Sequence, residues 1–429
     1  MYTLDILNKL SEINDDKDIK SLSHAIFPGT HCPLFGVALT ASYIKNMALV
    51  VVGTSECTYY TKNFAYHRQN GNDKVYSLAL DEKDVVFGAQ NKVEKAIKEI
   101  IELEEPEAVM IVTTCVPELI GEDYSSIEFS LQDEVDIPIF VVNTEHFKCN
   151  SHIPGMSRAL KSLSSVMVNN DFKDGVNILG HRQKNVESTE LVQILKEHNI
   201  KINTVIPSQC TIEDIKDCTK SKLNIVTDMI ALDLAESMKQ KLDIDYIYFD
   251  KHMNKSIIKE NYKKLSEILN LDIDNILREK EEKYDELFEE CKNILEGKKL
   301  IYGNTPMMAL ETVDFLSDLG LEPVFVQLRE LYDQDIKFKE SLLNKGYDPH
   351  ISRIANIAPL RHLYDTIGAD IYIGHENQML LKEKGLTQIT LDNHAQKIGY
   401  ELPIAMMNDL IKLFSLENSS MGGMMYAAM

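Results

Sequence analysis

The chain has 429 residues, 44% of them hydrophobic and 26% charged, with a formal net charge of −22. That is more than one core accommodates, so two or three domains are expected, with the composition of an ordinary globular protein. The acidic balance excludes the basic footprint of a nucleic-acid binder. No apolar run reaches the roughly 18–20 residues a membrane helix needs. The start, "MYTLDILNKLSEINDDKDIK", lacks the basic end and apolar core of an export signal. A cytoplasmic protein with neither nucleic-acid nor membrane partners is expected.

Along the chain, short apolar β-branched runs alternate with helical patterns. "ALVVVG" (48–53), "AVMIVT" (108–113), "IPIFVVN" (137–143), "VNILG" (176–180) and "LNIVTD" (223–228) read as strands. So do "DYIYFD" (245–250), "KLIYGN" (299–304), "EPVFVQL" (322–328), "ADIYIGH" (369–375) and "TQITLD" (387–392). Strands of this kind are buried on both faces, and stretches such as "NKVEKAIKEIIELEE" (91–105) carry apolar residues at helical spacing between them. Alternation of this sort builds parallel sheets from βαβ units. Residues 256–299 break the pattern and predict a long, charged, solvated helix bridging two units. Three α/β domains follow, at 1–170, 171–295 and 296–429. The Met-rich end, "SMGGMMYAAM", reads as a loosely held terminus.

The sequence contains no G-x-x-x-x-G-K-[ST] phosphate loop, no G-x-G-x-x-G fingerprint, no C-x-x-C pair and no G-x-S-x-G elbow. ATP hydrolysis and NAD binding by the usual devices are therefore not expected.

Seven cysteines, an odd number in a long chain, argue against a disulfide framework. Cys32 lies in the turn-rich "FPGTHCPLFG", Cys57 just past one predicted strand, and Cys115 just past the next. In a parallel sheet those loops open onto one edge, where α/β proteins bind ligands. Soft thiolates on loops of small residues suit an iron–sulfur cluster. Three thiols leave a four-iron cluster one ligand short. The fourth can come from another subunit, from solvent, or from "TEHFKCNSHIPG", which offers His146, Cys149 and His152. Cys210 and Cys218, near a predicted helix start, read as structural, and Cys291 as incidental.

"TTCVPELIGED" (113–123) resembles the T-T-C-x-x-E-x-I-G-x-D segment of nitrogenase component 1, in a form nearer its beta than its alpha subunit. The spacing of Cys32, Cys57 and Cys115 resembles that of the beta subunit's P-cluster cysteines. "VVNTEHFKCNSHIPGMSRAL" (141–160), "LIYGNTPMMALETVDFLSDLGLEPVFVQ" (300–327) and "DNHAQKIGYELPIAMMNDLIKLF" (392–414) extend the likeness over most of the chain. The resemblance implies three Rossmann-like domains and a [4Fe-4S] or P-cluster-like [8Fe-7S] centre held by Cys32, Cys57 and Cys115 at a subunit interface. It implies pairing as a homodimer or with a paralogous component 1 subunit. It also implies an iron-protein-like ATPase reductase as electron donor, which accommodates the missing phosphate loop. His146 falls where the beta subunit has a cluster-proximal serine, so His146 or Cys149 becomes a candidate additional ligand. His375 and Glu376, in "IGHENQ", are candidates to line a catalytic cavity. The stretch "NIVTDMIALDLAESMKQKLDIDYIYFD" (224–250) carries no cysteine where the alpha subunit of nitrogenase has a cofactor ligand. The expectation is a subunit of a nitrogenase-like ATP-dependent reductase; the alternative is a non-catalytic scaffold for cluster assembly. A plain binding protein of periplasmic metal-binding type is a third class.

Overall fold

The computed structural model of the chain describes residues 3–24, 32–68, 74–132, 134–171, 173–182, 185–208, 210–303, 305–354 and 358–426. The turn-rich stretch before Cys32 (residues 27–31) and the last three residues of the Met-rich tail lie outside them. The strands are β1 (Asn8–Lys9), β2 (Met47–Gly53), β3 (Val75–Ala79), β4 (Ala108–Thr113), β5 (Ile139–Val142), β6 (Val176–His181) and β7 (Ile202–Pro207). They continue as β8 (Leu223–Val226), β9 (Asp245–Tyr248), β10 (Lys299–Tyr302), β11 (Glu322–Leu328), β12 (His350–Arg353), β13 (Ile371–Ile373) and β14 (Thr387–Ile389). They form three sheets, ordered β3-β2-β4-β5, β7-β6-β8-β9 and β1-β12-β11-β10-β13-β14. Every pairing is parallel except that of β1 with β12. The α/β class with parallel sheets follows from the sequence pattern. No helix among the described residues is long and apolar enough to cross a membrane.

The chain forms two compact units. One contains residues 28–187 and 195–250, and so the first two sheets. Central strands β2 and β4 are buried along their whole length, because helices cover both faces. The helices Pro33–Tyr43 and Ile153–Ser162 cross at backbone contact. A Cβ on Gly36 would lie 1.9 Å from the His152 carbonyl oxygen, and one on Gly155 would lie 1.9 Å from that of Pro33. The crossing fixes the amino end of the first helix, where Cys32 is the N-cap residue. Gly36→Ala forces the helices apart and should lower stability by about 1–3 kcal/mol; chemical denaturation reads this directly, and an unchanged midpoint would contradict it.

The other unit contains residues 1–27, 188–194 and 251–429, with the third sheet. Residues 256–299, expected to form one solvated helix, are two helices, Lys255–Leu269 and Asp274–Leu295, separated by Asn270 in the left-handed region at φ 54°. Each buries one face. Tyr262, Leu265, Tyr284, Leu287 and Cys291 are in the core, and the second helix packs on the final helix, Glu401–Tyr426. That final helix continues into the Met-rich stretch expected to be a loose terminus.

This unit also buries carboxylates. Asp335 is pushed up to about 7 by burial, with the Glu311 charge adding to the effect. Its proton stays on in the folded chain to about pH 7, whereas an unfolded aspartate loses it near pH 4. The folded state therefore holds an extra proton in that window, and stability falls as pH rises through it. Asp335→Asn keeps an acceptor for the Tyr332 amide, now 3.1 Å from the carboxylate. It should stabilise by about 1–3 kcal/mol at pH 8 and have no effect near pH 4. Equal effects at both pH values would refute the assignment.

Candidate metal-cluster site

The carboxyl ends of β2 and β4 lie side by side, and the turns that follow carry Cys57 and Cys115. A Cβ on Gly53, at the end of β2, would fall 1.8 Å from the Thr114 hydroxyl, and the Thr114 amide donates to the Val52 carbonyl at 3.0 Å. Glycine at position 53 thus permits the close approach of the two thiol-bearing turns. Cys57 sits in the first turn of the helix Ser55–Arg68, and Cys115 opens the short helix Cys115–Ile120.

All three thiols are half-buried and unpaired with one another. They lie near enough to sense each other's charge. Burial, first, and then negative charge on Cys57 and Cys115 push the Cys32 thiol up to about 11. Burial and the Cys57 charge likewise raise Cys115. The Thr54 hydroxyl donates to Cys57 Sγ at 3.3 Å. Among the described residues no three His, Cys, Asp or Glu side chains close on a single-ion site. A cluster spans more space than one ion, and its ligands stand correspondingly further apart. Three soft thiols from separate elements, near enough that charge on Cys57 and Cys115 acts on Cys32, are a donor set that fits one.

His146 and Cys149 separate in role. His146 Nδ1 stands 3.8 Å from Cys32 Sγ. Cys149 turns the other way: its Sγ takes a hydrogen bond from Arg158 Nη1 at 3.1 Å and points at the Glu145 carbonyl at 3.3 Å. Arg158 also pairs with the Glu145 carboxylate at 2.6 Å.

A residue quoted with the motif but given no role, Glu118, organises this edge. It lies three residues past Cys115, on the same helical face. Its Oε1 accepts from the Thr113 hydroxyl (2.7 Å), the Thr144 hydroxyl (2.8 Å) and the Glu145 amide (2.9 Å); its Oε2 accepts from the His146 amide at 2.9 Å. Burial pushes its carboxyl up, but these donors outweigh that and hold it below the usual range. The Cys-x-x-Glu spacing was the available signal.

His375 and Glu376 belong to the other unit. Glu376 is held by Arg361 through two hydrogen bonds, at 2.9 and 2.7 Å, and by the Tyr364 hydroxyl at 2.9 Å. His375 is exposed, with Nε2 3.0 Å from Asp392. Cys210, Cys218 and Cys291 are fully packed, and burial raises each thiol.

Close in sequence to Cys57, Cys115 and His146, the side chains of Tyr59, Leu119 and Phe147 are each more than two-thirds exposed. Large apolar side chains at that exposure, on neighbouring elements, mark an interaction surface.

The family model for nitrogenase component 1 type oxidoreductases matches residues 32–414. The chain belongs to this family. Its members hold iron–sulfur clusters and work with an iron protein in multi-chain assemblies. Among curated relatives, the chain is 25% identical over 379 residues to the nitrogenase iron-molybdenum cofactor biosynthesis protein NifE of Clostridium pasteurianum, covering 85% of this chain and 82% of that one. It is 23% identical over 415 residues to NifE of Nostoc sp., covering 92% and 86%. It is 27% identical over 217 residues to the nitrogenase molybdenum-iron protein alpha chain of Clostridium pasteurianum, of which the match spans only 41%. The solved structure titled nitrogenase Cp1 at pH 6.5 superposes with a TM-score of 0.76 at 18% identity, covering 92% of this chain and 94% of that one. This similarity establishes the fold. These relatives are alpha chains and NifE proteins, whereas the thiol spacing resembles a beta chain.

Proposed function

We propose that this protein is a subunit of a nitrogenase component 1-type assembly in which Cys32, Cys57 and Cys115 hold an iron–sulfur cluster at the carboxyl edge of the first sheet. The observation that carries this reading is the nearness of three half-buried thiols from separate elements: the turns bearing Cys57 and Cys115 approach closely at Gly53 and Thr114, and both thiols act on Cys32. His146, beside Cys32, supplies the fourth position from within the chain; Cys149, engaged by Arg158, does not. The exposed apolar side chains around the thiols are the surface on which a partner subunit closes the site. When bound, the cluster supplies one-electron redox capacity; the chain's part is to hold it, bury it and set its potential.

Of the two roles open to such a subunit, we favour assembly scaffold over reductase. The relatives matched over more than four-fifths of both chains carry the name of a cofactor biosynthesis protein. The stretch 224–250 carries no cysteine, where the resemblance places the cofactor thiol of a catalytic alpha subunit. The reductase reading keeps the same cluster and adds electron delivery from an iron-protein ATPase.

The test uses protein purified without oxygen. Iron and sulfide per chain, with EPR of the dithionite-reduced sample, should show about four irons per chain or per dimer. Incubation with a metal-free acceptor protein of the same family should move that iron off a scaffold. A reductase subunit would retain it and turn over only with its ATPase. Absence of iron in well-folded protein would defeat both roles.

A further inference from the structure

The turn that carries His146 is held from one point. Thr144, Glu145 and His146 are consecutive, and all three donate to the Glu118 carboxylate, which also takes the Thr113 hydroxyl at the end of β4. Glu145, between them, has φ 46°, in the left-handed region a non-glycine residue rarely adopts. Such a backbone conformation persists only where its surroundings over-determine it. Thr113 and Thr144 are fully buried, so water does not compete for these bonds. The bonds divide unevenly: three on Oε1, and one, from the His146 amide, on Oε2.

We infer that Glu118 is a positioning residue: it clamps the Thr144–His146 turn so that the His146 ring stands at Cys32. Glu118 touches neither thiol nor ring and acts through the turn. The inference deepens the cluster reading and rests on it for its purpose, but the clamp itself can be tested on iron-free chain. Glu118→Gln is the discriminating change. Its carbonyl oxygen can still accept from Thr113, Thr144 and Glu145, while its NH2 faces the His146 N–H, donor against donor. The variant should fold and should release only His146.

The experiment labels histidine with ¹⁵N in the iron-free, full-length protein and follows the His146 ring resonance, assigned with His146→Gln. Cys32→Ala should shift that resonance in the otherwise unaltered chain. In the Glu118→Gln background the same Cys32→Ala change should shift it by less than a third as much. A general loss of stability does not produce this interaction pattern. An equal shift in both backgrounds overturns the inference. Should Glu118→Gln fail to fold, Thr144→Val loosens the same turn and must show the same attenuated response; a full response there overturns the inference equally. In iron-loaded protein, Glu118→Gln should also alter the EPR g-values of the reduced centre. If the unaltered protein takes up no iron, the cluster reading falls, and the histidine shifts still decide the clamp.

Discussion

Cys115→Ala, purified without oxygen, is expected to lose its bound iron, whereas Cys291→Ala is expected to retain all of it. The two thiols differ in setting. Cys115 opens a helix at a strand end, is half-buried, and shares its surroundings with Cys57 and Cys32. Cys291 is fully buried on the helix Asp274–Leu295 and spends its S–H on the Met407 carbonyl at 3.4 Å. A cluster core needs several thiolates, and removing one of three leaves too few strong ligands to hold it. Iron and sulfide per chain measure the outcome. Equal iron in the two variants would remove Cys115 from the ligand set. Loss of iron from both would point to general unfolding, which a thermal melt identifies.

Glu190→Ala should be the most destabilising single change away from the thiols, by about 3–5 kcal/mol. Glu190 is 4% exposed. Its Oε1 accepts from the Tyr262 hydroxyl at 2.7 Å and the Tyr400 amide at 2.9 Å, and its Oε2 lies 3.1 Å from Lys280 Nζ. Gly399 leaves room for it, since a Cβ there would meet Glu190 Oε1 at 2.5 Å. Truncation strands a fully buried hydroxyl and amide without an acceptor and leaves Lys280 without its counter-charge. Glu190→Gln keeps the acceptor at Oε1, loses only the ion pair and should cost clearly less. Calorimetry of the full chain measures both; a Glu190→Ala loss under about 1 kcal/mol would show that the network relaxes around the gap.

The buried strands were legible in the sequence because their runs are continuous and β-branched: "ALVVVG" became β2 and "AVMIVT" became β4. β3, β7 and β12 were not. β3 and β7 are edge strands with half-exposed residues, and β12, "HISR", is four residues long and largely polar. Their apolar signal is diluted by the face that meets solvent or by a charged neighbour. The two-residue β1 carries no pattern and is defined only by its partner, β12. At the site, the three cysteines could be read from their place after strands. The role of Glu118 could not, because its partners Thr113, Thr144, Glu145 and His146 meet only when β4 and β5 lie in register. The sequence also left His146 and Cys149 equivalent; Arg158, nine residues beyond Cys149, distinguishes them through a contact that helix geometry creates.

The crossing at Gly36 and Gly155 makes main chain touch main chain. Its geometry therefore owes nothing to side-chain volume. Exchanges among the leucines, methionines and valines around it can accumulate without moving the point where the two helices meet, and the thiol at the head of one of them keeps its place. Two glycines thus act as a fixed datum for the metal site, leaving the rest of that core free to drift in sequence.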